Sequence, residues 1–146
     1  MATEVDRIKQ KLSRNEYTID TKDPHVAACL LKDWLRGLTD SLIPKTHYSM
    51  AIQMAKKNEI NHQSLEVFLS QLPEVNRETI KYLVAFLKDL IEEKHVPKTR
   101  MNIENVSIVF APTILKCPSA DVKQLLANSR HEKAFTIALI QQLQTY

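Results

Sequence analysis

The chain has 146 residues, of which 44% are hydrophobic and one is glycine, and its net charge is +3. That length suits one domain with a substantial core. The single glycine argues against a phosphate-cradling loop, a dinucleotide-binding turn or a turn-rich β fold. The small net charge does not indicate a nucleic-acid partner. We therefore expect a single domain over residues 1–146 that does not bind nucleic acid.

The N-terminal region begins with a weak helical signal. Ile8 and Leu12 are four residues apart, as on one face of a short amphipathic helix. The next segment, residues 15–23, is rich in polar and turn-forming residues and is predicted to be a loop. Apolar residues recur at helical spacing over almost all of the remaining chain. The predicted fold class is therefore all-α.

A stronger helix signal follows. Asp23 precedes Pro24, which is a favourable helix start because a carboxylate caps the first turn and proline is tolerated at the first helical position. Gly37 is a natural helix end. The sequence therefore predicts a helix over about residues 24–36 and a connector over residues 38–44.

The later helices are predicted from the same periodicity. One of them carries a core-facing stripe at spacings of three and four residues, made of Ile80, Leu83, Val84, Leu87 and Ile91. Pro97 is predicted to end that helix, Asn102 to cap the next one, and Pro112 to bend or end it. The predicted ranges are about 45–57, 63–71, 77–95, 102–110 and 120–144, the last with a break near Asn128.

The helix over 24–36 separates into two faces at about 100° per residue. The arc predicted to face the core contains Ala27, Ala28, Leu31, Trp34 and Leu35. His25, Lys32 and Arg36 lie on a different arc, with Cys29 at its margin. Lys32 and Arg36 are four residues apart and therefore neighbours on the surface. The ordinary explanation of such a pair is a solvated basic face.

Asn105 is the second notable polar residue, because it interrupts an apolar run between Ile103 and Phe110. A buried amide needs hydrogen-bond partners for both its oxygen and its nitrogen. Its ordinary explanation is an asparagine at a helix start or one satisfied within the core.

Other chemistries have little support in the sequence. Cys29 and Cys117 form neither a disulfide framework nor metal-ligand spacing, which fits a reducing compartment. The five histidines are scattered without a paired spacing. No apolar run is long enough to span a bilayer, and no signal peptide opens the sequence. We expect no metal, no cofactor, no transmembrane segment and a cytoplasmic location.

Two segments carry a resemblance to a known family. Residues 29–44 read Cys-Leu-Leu-Lys-Asp-Trp-Leu-Arg-Gly-Leu-Thr-Asp-Ser-Leu-Ile-Pro, and residues 101–115 read Met-Asn-Ile-Glu-Asn-Val-Ser-Ile-Val-Phe-Ala-Pro-Thr-Ile-Leu. They resemble the second and third signature blocks of the Rho-type GTPase-activating (RhoGAP) domain. The resemblance extends from Thr3 to about Leu143 and implies a RhoGAP-like helical bundle.

The resemblance implies a partner and three site residues. In RhoGAP domains the lysine and arginine of a Leu-Leu-Lys-x-x-Leu-Arg-x-Leu pattern line the GTPase-facing groove, and they match Lys32 and Arg36. The lysine holds the catalytic region and the arginine contacts the partner. Asn105 matches an asparagine that orders the catalytic loop and touches the GTPase switch region. The implied partner is a Rho/Rac-class small GTPase in its GTP-bound form, whose acidic and polar switch segments suit paired cations.

The first signature block of the family is missing. Relatives carry Gly-Ile-Phe-Arg-x-x-Gly, with a catalytic arginine finger, just upstream of the segment that matches residues 3–12. Neither Arg7 nor Arg14 follows Gly-Ile-Phe, and Arg7 lies in the predicted first helix. The resemblance therefore implies a RhoGAP-like domain that is incomplete at its N-terminus and binds the GTPase with little or no stimulation of hydrolysis. It is either a fragment of a longer active protein or a natural finger-less form.

The missing first block also has a consequence for association. Without the preceding helix, an apolar groove on the remaining helices would face water, which predicts self-association or a rearranged N-terminal segment. The alternative function is a helical protein-interaction or self-association module that does not recognise GTPases. The resemblance implies an activator, which accelerates GTP hydrolysis by completing the active site of the GTPase, so we do not expect the domain itself to be an enzyme. A hydrolytic enzyme has the least support, because no nucleophile, metal or paired-carboxylate site can be assembled from these residues.

Overall fold

The computed structural model describes residues 2–145 and contains only α-helices as regular elements in that range, which confirms the all-α prediction. The helices are α1 (Ala2–Ser13), α2 (Pro24–Gly37), α3 (Lys45–Lys56), α4 (His62–Ser70), α5 (Glu74–Leu90), α6 (Val96–Thr99), α7 (Ile103–Ile114) and α8 (Val122–Gln142).

The chain divides into two compact units, Met1–Thr39 and Asp40–Tyr146. The single domain over residues 1–146 stays a prediction. No described helix has the length and apolar character needed to cross a membrane.

The N-terminal unit consists of α1, the predicted loop and α2. The Asp23 carboxylate accepts a 2.9 Å hydrogen bond from the backbone N–H of His25, and Pro24 occupies the first helical position. This confirms the predicted start of α2. Gly37 is the last residue of the helix, and Leu38 continues in extended conformation.

A small apolar core joins α1 to α2. Its buried members are Val5, Ile8, Val26 and Leu30, with Leu12 and Cys29 packed against them. Ile8 and Val26 have no exposed surface. Burying an aliphatic side chain of this size contributes about 1.5–3 kcal/mol, so this cluster is the main stabilising feature within the unit.

The predicted core-facing arc of α2 is wrong at three of its five residues. Ala27 and Ala28 are exposed, and Trp34 is 53% exposed, whereas Leu35 is buried and Leu31 is half-buried. The helix is apolar on most of its circumference, so the spacing of its apolar residues could not identify the side that packs on α1. Val26 and Leu30 form that side, and Cys29 lies against them.

In the C-terminal unit, α8 is the central element. It packs most extensively against α7 and α3, and also contacts α5 and α4. Phe135 on α8 meets Phe68 on α4 edge to face, with ring centroids 5.5 Å apart. The predicted stripe of α5 is confirmed at Ile80, Leu83, Val84 and Leu87, which are all buried. Ile91 lies just beyond the helix end and is half-buried.

Two predicted helix ends and one predicted break within a helix are wrong. Helix α5 spans Glu74–Leu90 and ends well before Pro97, because the charged residues 92–94 offer nothing to bury; Pro97 instead lies in the short α6. Helix α7 continues through Pro112 to Ile114, since a proline in the last turn removes only one backbone hydrogen bond. Helix α8 is unbroken at Asn128, whose buried amide lies 3.8 Å from the Cys117 sulfur.

Candidate functional site

The basic face of α2 lies beside the stripe that packs on α1. Lys32 is half-buried and Arg36 is exposed. The two side chains are one helical turn apart, as predicted. Because Val26 and Leu30 anchor the same helix to α1, both cations project from a supported backbone.

Asp33 connects this face to α1. Its Oδ2 atom lies 2.9 Å from Lys9 Nζ, and its Oδ1 atom lies 3.6 Å from Arg36 Nη1. The hydrogen bond from Lys9 lowers the pKa of Asp33, and the charges of Lys9, Arg36 and Lys32 add to this effect. The same hydrogen bond raises the pKa of Lys9. The face is therefore a network of cations around one carboxylate.

The two N-terminal arginines are engaged within their own unit. Arg7 donates two hydrogen bonds to Asp20, with N···O distances of 3.2 and 3.4 Å, and lies 3.8 Å from Glu4. The Arg7 hydrogen bond lowers the pKa of Asp20. Arg14 Nε donates to the Gln10 carbonyl at 3.4 Å. Arg7 thus ties the predicted loop to α1 by a two-point ion pair.

Asn105 lies in the first turn of α7. The Asn102 side chain caps that helix by accepting a 2.9 Å hydrogen bond from the Asn105 backbone N–H, as predicted. Asn105 is exposed, so the alternative of a core asparagine is wrong. Its Nδ2 donates a 2.7 Å hydrogen bond to the carbonyl of Arg100. Arg100 has a positive φ of 55° and ends α6, so this amide holds the strained turn that leads into α7.

An apolar side chain beside Asn105 was not predicted. Ile108 follows Asn105 by three residues and is 56% exposed, and Pro112 lies one further turn along, also exposed. Residues at spacings of three and four share a helix face. The opposite face of α7 is buried through Val106 and Phe110. The spacing of Ile108 from Asn105 was the available signal, but an apolar residue in an apolar run is ordinarily buried.

The structure also describes a buried serine and the potential metal ligands of residues 2–145. The Ser41 hydroxyl donates a 2.6 Å hydrogen bond to the carbonyl of Ile43 and is buried. Within residues 2–145, no group of three or more histidine, cysteine or acidic side chains could hold a metal ion. Lys32 and Arg36 belong to the N-terminal unit and Asn105 to the C-terminal unit. Their binding roles stay predictions.

Comparison with known proteins identifies relatives along nearly the whole chain. A family model described as the RhoGAP domain matches residues 1–119. The chain is 31% identical over 139 residues to GTPase activating protein homolog 3 of Dictyostelium discoideum, covering 94% of the chain and 10% of that relative. It is 32% identical over 142 residues to human N-chimaerin, covering 96% of the chain and 30% of that protein. The chain therefore spans less than a third of either relative.

Solved structures show the same fold. Human Rho GTPase activating protein 15 superposes with a TM-score of 0.84 at 20% identity, over 97% of this chain and 68% of that chain. The BH domain from GRAF, the GTPase regulator associated with focal adhesion kinase, superposes with a TM-score of 0.81 at 20% identity, over 97% of this chain and 76% of that chain. The predicted RhoGAP-like fold is therefore confirmed.

These matches also correct one prediction. The expectation that the domain is not an enzyme is wrong, because members of the matched family are GTPase activators that accelerate GTP hydrolysis, which counts as an enzyme activity. That expectation treated an activator, which completes the active site of its GTPase partner, as something other than an enzyme. The matched family model, the relatives of at least 30% identity and the shared fold show that this chain belongs to the RhoGAP domain family.

Proposed function

We propose that the chain binds a Rho/Rac-class small GTPase in its GTP-bound form through Lys32, Arg36 and Asn105, and acts on the hydrolysis of its GTP. The observation that supports this most directly is that none of the three side chains is buried, although each lies on a helix with a packed opposite side. Cations on α2 suit an acidic partner surface. Family membership supports a Rho-type GTPase as that partner.

Asn105 contributes in two ways. Its Nδ2 is used to hold the Arg100 carbonyl, which leaves its side-chain oxygen to accept a hydrogen bond from the partner. The exposed Ile108 lies on the same face and adds an apolar contact of the kind found at the centre of interfaces. We therefore include Ile108 in the binding surface.

The stimulation of hydrolysis by this chain is small. The sequence contains no Gly-Ile-Phe-Arg-x-x-Gly stretch, since its one glycine is Gly37. Arg7 and Arg14 each contact acceptors within the N-terminal unit, which supports neither as a finger. An arginine finger supplied in trans contributes about 10³–10⁵ in rate, or roughly 4–7 kcal/mol. Binding rests on a broad surface and does not depend on that one residue.

The test is single-turnover GTP hydrolysis by a panel of Rho-class GTPases with this chain added, together with binding to their GTP-analogue forms. We expect nucleotide-dependent binding and an acceleration well below a thousandfold. Arg130→Ala, which removes an exposed arginine on α8, is the matched control for Arg36→Ala. Acceleration of a thousandfold or more would show that an arginine of this chain acts as a finger, and equal binding to the GDP forms would refute GTPase recognition.

A second candidate function is self-association through α5. Val75, Tyr82 and Phe86 recur along one face of that helix and are 72%, 75% and 46% exposed. An exposed apolar stripe of this kind is typical of an interface. Sedimentation velocity of the chain and of a Tyr82→Ser, Phe86→Ser variant tests this function. We expect dimers of the unmodified chain at micromolar concentration, and a monomer would count against it.

A further inference from the structure

Asp33 on α2 contacts both a residue of α1 and Arg36, one of the proposed binding residues. One carboxylate oxygen lies 2.9 Å from Lys9 Nζ on α1, and the other lies 3.6 Å from Arg36 Nη1 on α2. The Asp33 side chain is 36% exposed, and those of Lys9 and Arg36 are 48% and 59% exposed. Asp33 therefore lies at the edge of the packed side of α2, between the α1 contact and the basic face.

We propose that Asp33 is a positioning residue of the GTPase-binding face: it holds the Arg36 guanidinium in the orientation from which that group contacts the partner, and Lys9 holds the Asp33 carboxylate in turn. This inference rests on the proposed function, because it concerns how Arg36 meets a GTPase.

The physical reason is the flexibility of arginine. An arginine side chain carries about 2 kcal/mol of rotamer entropy, part of which is lost when it is fixed in an interface. A carboxylate that restrains the guanidinium before binding reduces that loss. Asp33 can act in this way because Lys9, from a second helix, restrains it. Lys9 follows the buried Ile8 directly, so its backbone belongs to the core of the N-terminal unit.

The charge state of the carboxylate supports this arrangement. The Lys9 hydrogen bond and the surrounding cations lower the pKa of Asp33, so the group is ionised at neutral pH. An ionised carboxylate accepts hydrogen bonds at both oxygens. One oxygen can therefore contact Lys9 while the other contacts Arg36.

A purely electrostatic role for Asp33 would change the binding kinetics in a different way. If Asp33 only reduced the positive charge of the face, its removal would speed association with an acidic partner and leave dissociation unchanged. A positioning role instead acts on the dissociation rate constant, since the restraint matters once the short-range contact has formed. The two roles are therefore separated by kinetics.

The experiment measures association and dissociation of the chain with a Rho-class GTPase loaded with a GTP analogue. We expect Asp33→Asn to raise the dissociation rate constant about two- to fivefold, the range that corresponds to an exposed ion pair. Lys9→Met should act in the same direction, and Asp33→Glu should restore part of the loss. Asp89→Asn, which removes an exposed carboxylate from α5, is the charge-matched control and should leave dissociation unchanged.

The double variant distinguishes the positioning role from a structural one. In an Arg36→Ala background, Asp33→Asn should no longer change dissociation, because its effect acts through Arg36. An undiminished effect in that background, or faster association with unchanged dissociation, would overturn the inference. If the unmodified chain binds and Asp33→Asn dissociates at the same rate, the Asp33 inference alone fails. If the unmodified chain binds no Rho-class GTPase, the proposed function fails and this inference with it.

Discussion

Replacing Asn105 by alanine separates binding from stability at the start of α7. The substitution removes the 2.7 Å hydrogen bond from Nδ2 to the Arg100 carbonyl and leaves the backbone N–H that Asn102 caps. A typical hydrogen bond contributes about 0.5–1.5 kcal/mol net. Because Arg100 is an exposed residue, we expect water to solvate its carbonyl. Alanine is also a better helix former than asparagine by up to about 0.7 kcal/mol. The net loss of stability should therefore stay below about 1 kcal/mol.

The effect on binding should be larger. The Asn105 amide holds the turn at Arg100 and, in the proposed complex, also contacts the partner. Truncating a central interface residue costs about 2 kcal/mol. We expect Asn105→Ala to weaken binding to a GTP-analogue-loaded GTPase about tenfold to thirtyfold. Urea unfolding followed by circular dichroism gives the stability, and isothermal titration calorimetry gives the affinity.

The control for this prediction is Asn102→Ala. It removes a helix cap, which costs about 0.5–2 kcal/mol of stability, but it leaves the Asn105 side chain in place. We expect Asn102→Ala to lower stability more than affinity, and Asn105→Ala to do the reverse. A stability loss above about 3 kcal/mol for Asn105→Ala would show that its amide is buried, and unchanged affinity would show that it does not contact the GTPase.

Lys32→Ala and Arg36→Ala should each weaken GTPase binding about threefold to tenfold or more and leave the circular dichroism spectrum unchanged. The control Lys123→Ala on α8 should change neither the affinity nor the spectrum. Unfolding of either α2 variant would contradict the surface assignment. Leu30→Ala should lower the free energy of unfolding by about 2–4 kcal/mol, since Leu30 is 8% exposed in the N-terminal core, and a loss under 1 kcal/mol in urea unfolding would exclude it from that core. Burial raises the pKa of Glu132, an effect that the Tyr48 hydroxyl partly offsets. The stability that protonated Glu132 contributes is therefore present below its unfolded pKa and is lost as pH rises through the folded pKa. The free energy of unfolding of Glu132→Gln minus that of the unmodified chain should therefore increase from pH 4 to pH 7. An equal difference at both pH values would refute this.

Local signals predicted the helix starts well. Asp23 with Pro24 and Asn102 each act within one turn of the backbone, and the structure shows their caps where the sequence predicted them. Helix ends and core faces were harder to predict because they depend on distant residues. Trp34 was assigned to the core since α2 is apolar on several sides, and only the packing of α1 on Val26 and Leu30 distinguishes those sides.

In the candidate site, too, local features could be predicted from the sequence and contacts between distant residues could not. Lys32, Arg36 and Asn105 could be selected from sequence because the motifs that contain them are contiguous. The Lys9–Asp33 contact could not, because it joins residues 24 positions apart through a 2.9 Å ion pair. Ile108 was missed because an isoleucine in an apolar run is ordinarily buried, and its exposure depends on which face of α7 packs against α8.

The proline in the last turn of α7 has a consequence for the surface beside Asn105. A helical residue ordinarily donates its N–H to the carbonyl four positions earlier, and Pro112 has no N–H to give to the carbonyl of Ile108. The Ile108 carbonyl therefore lacks the backbone donor that a helix ordinarily supplies four positions later, in the residue whose side chain is exposed. The absence of that donor holds whatever side chain stands at position 108. The hydrogen-bonding capacity of the backbone at this point of α7 is thus determined by Pro112 rather than by residue 108.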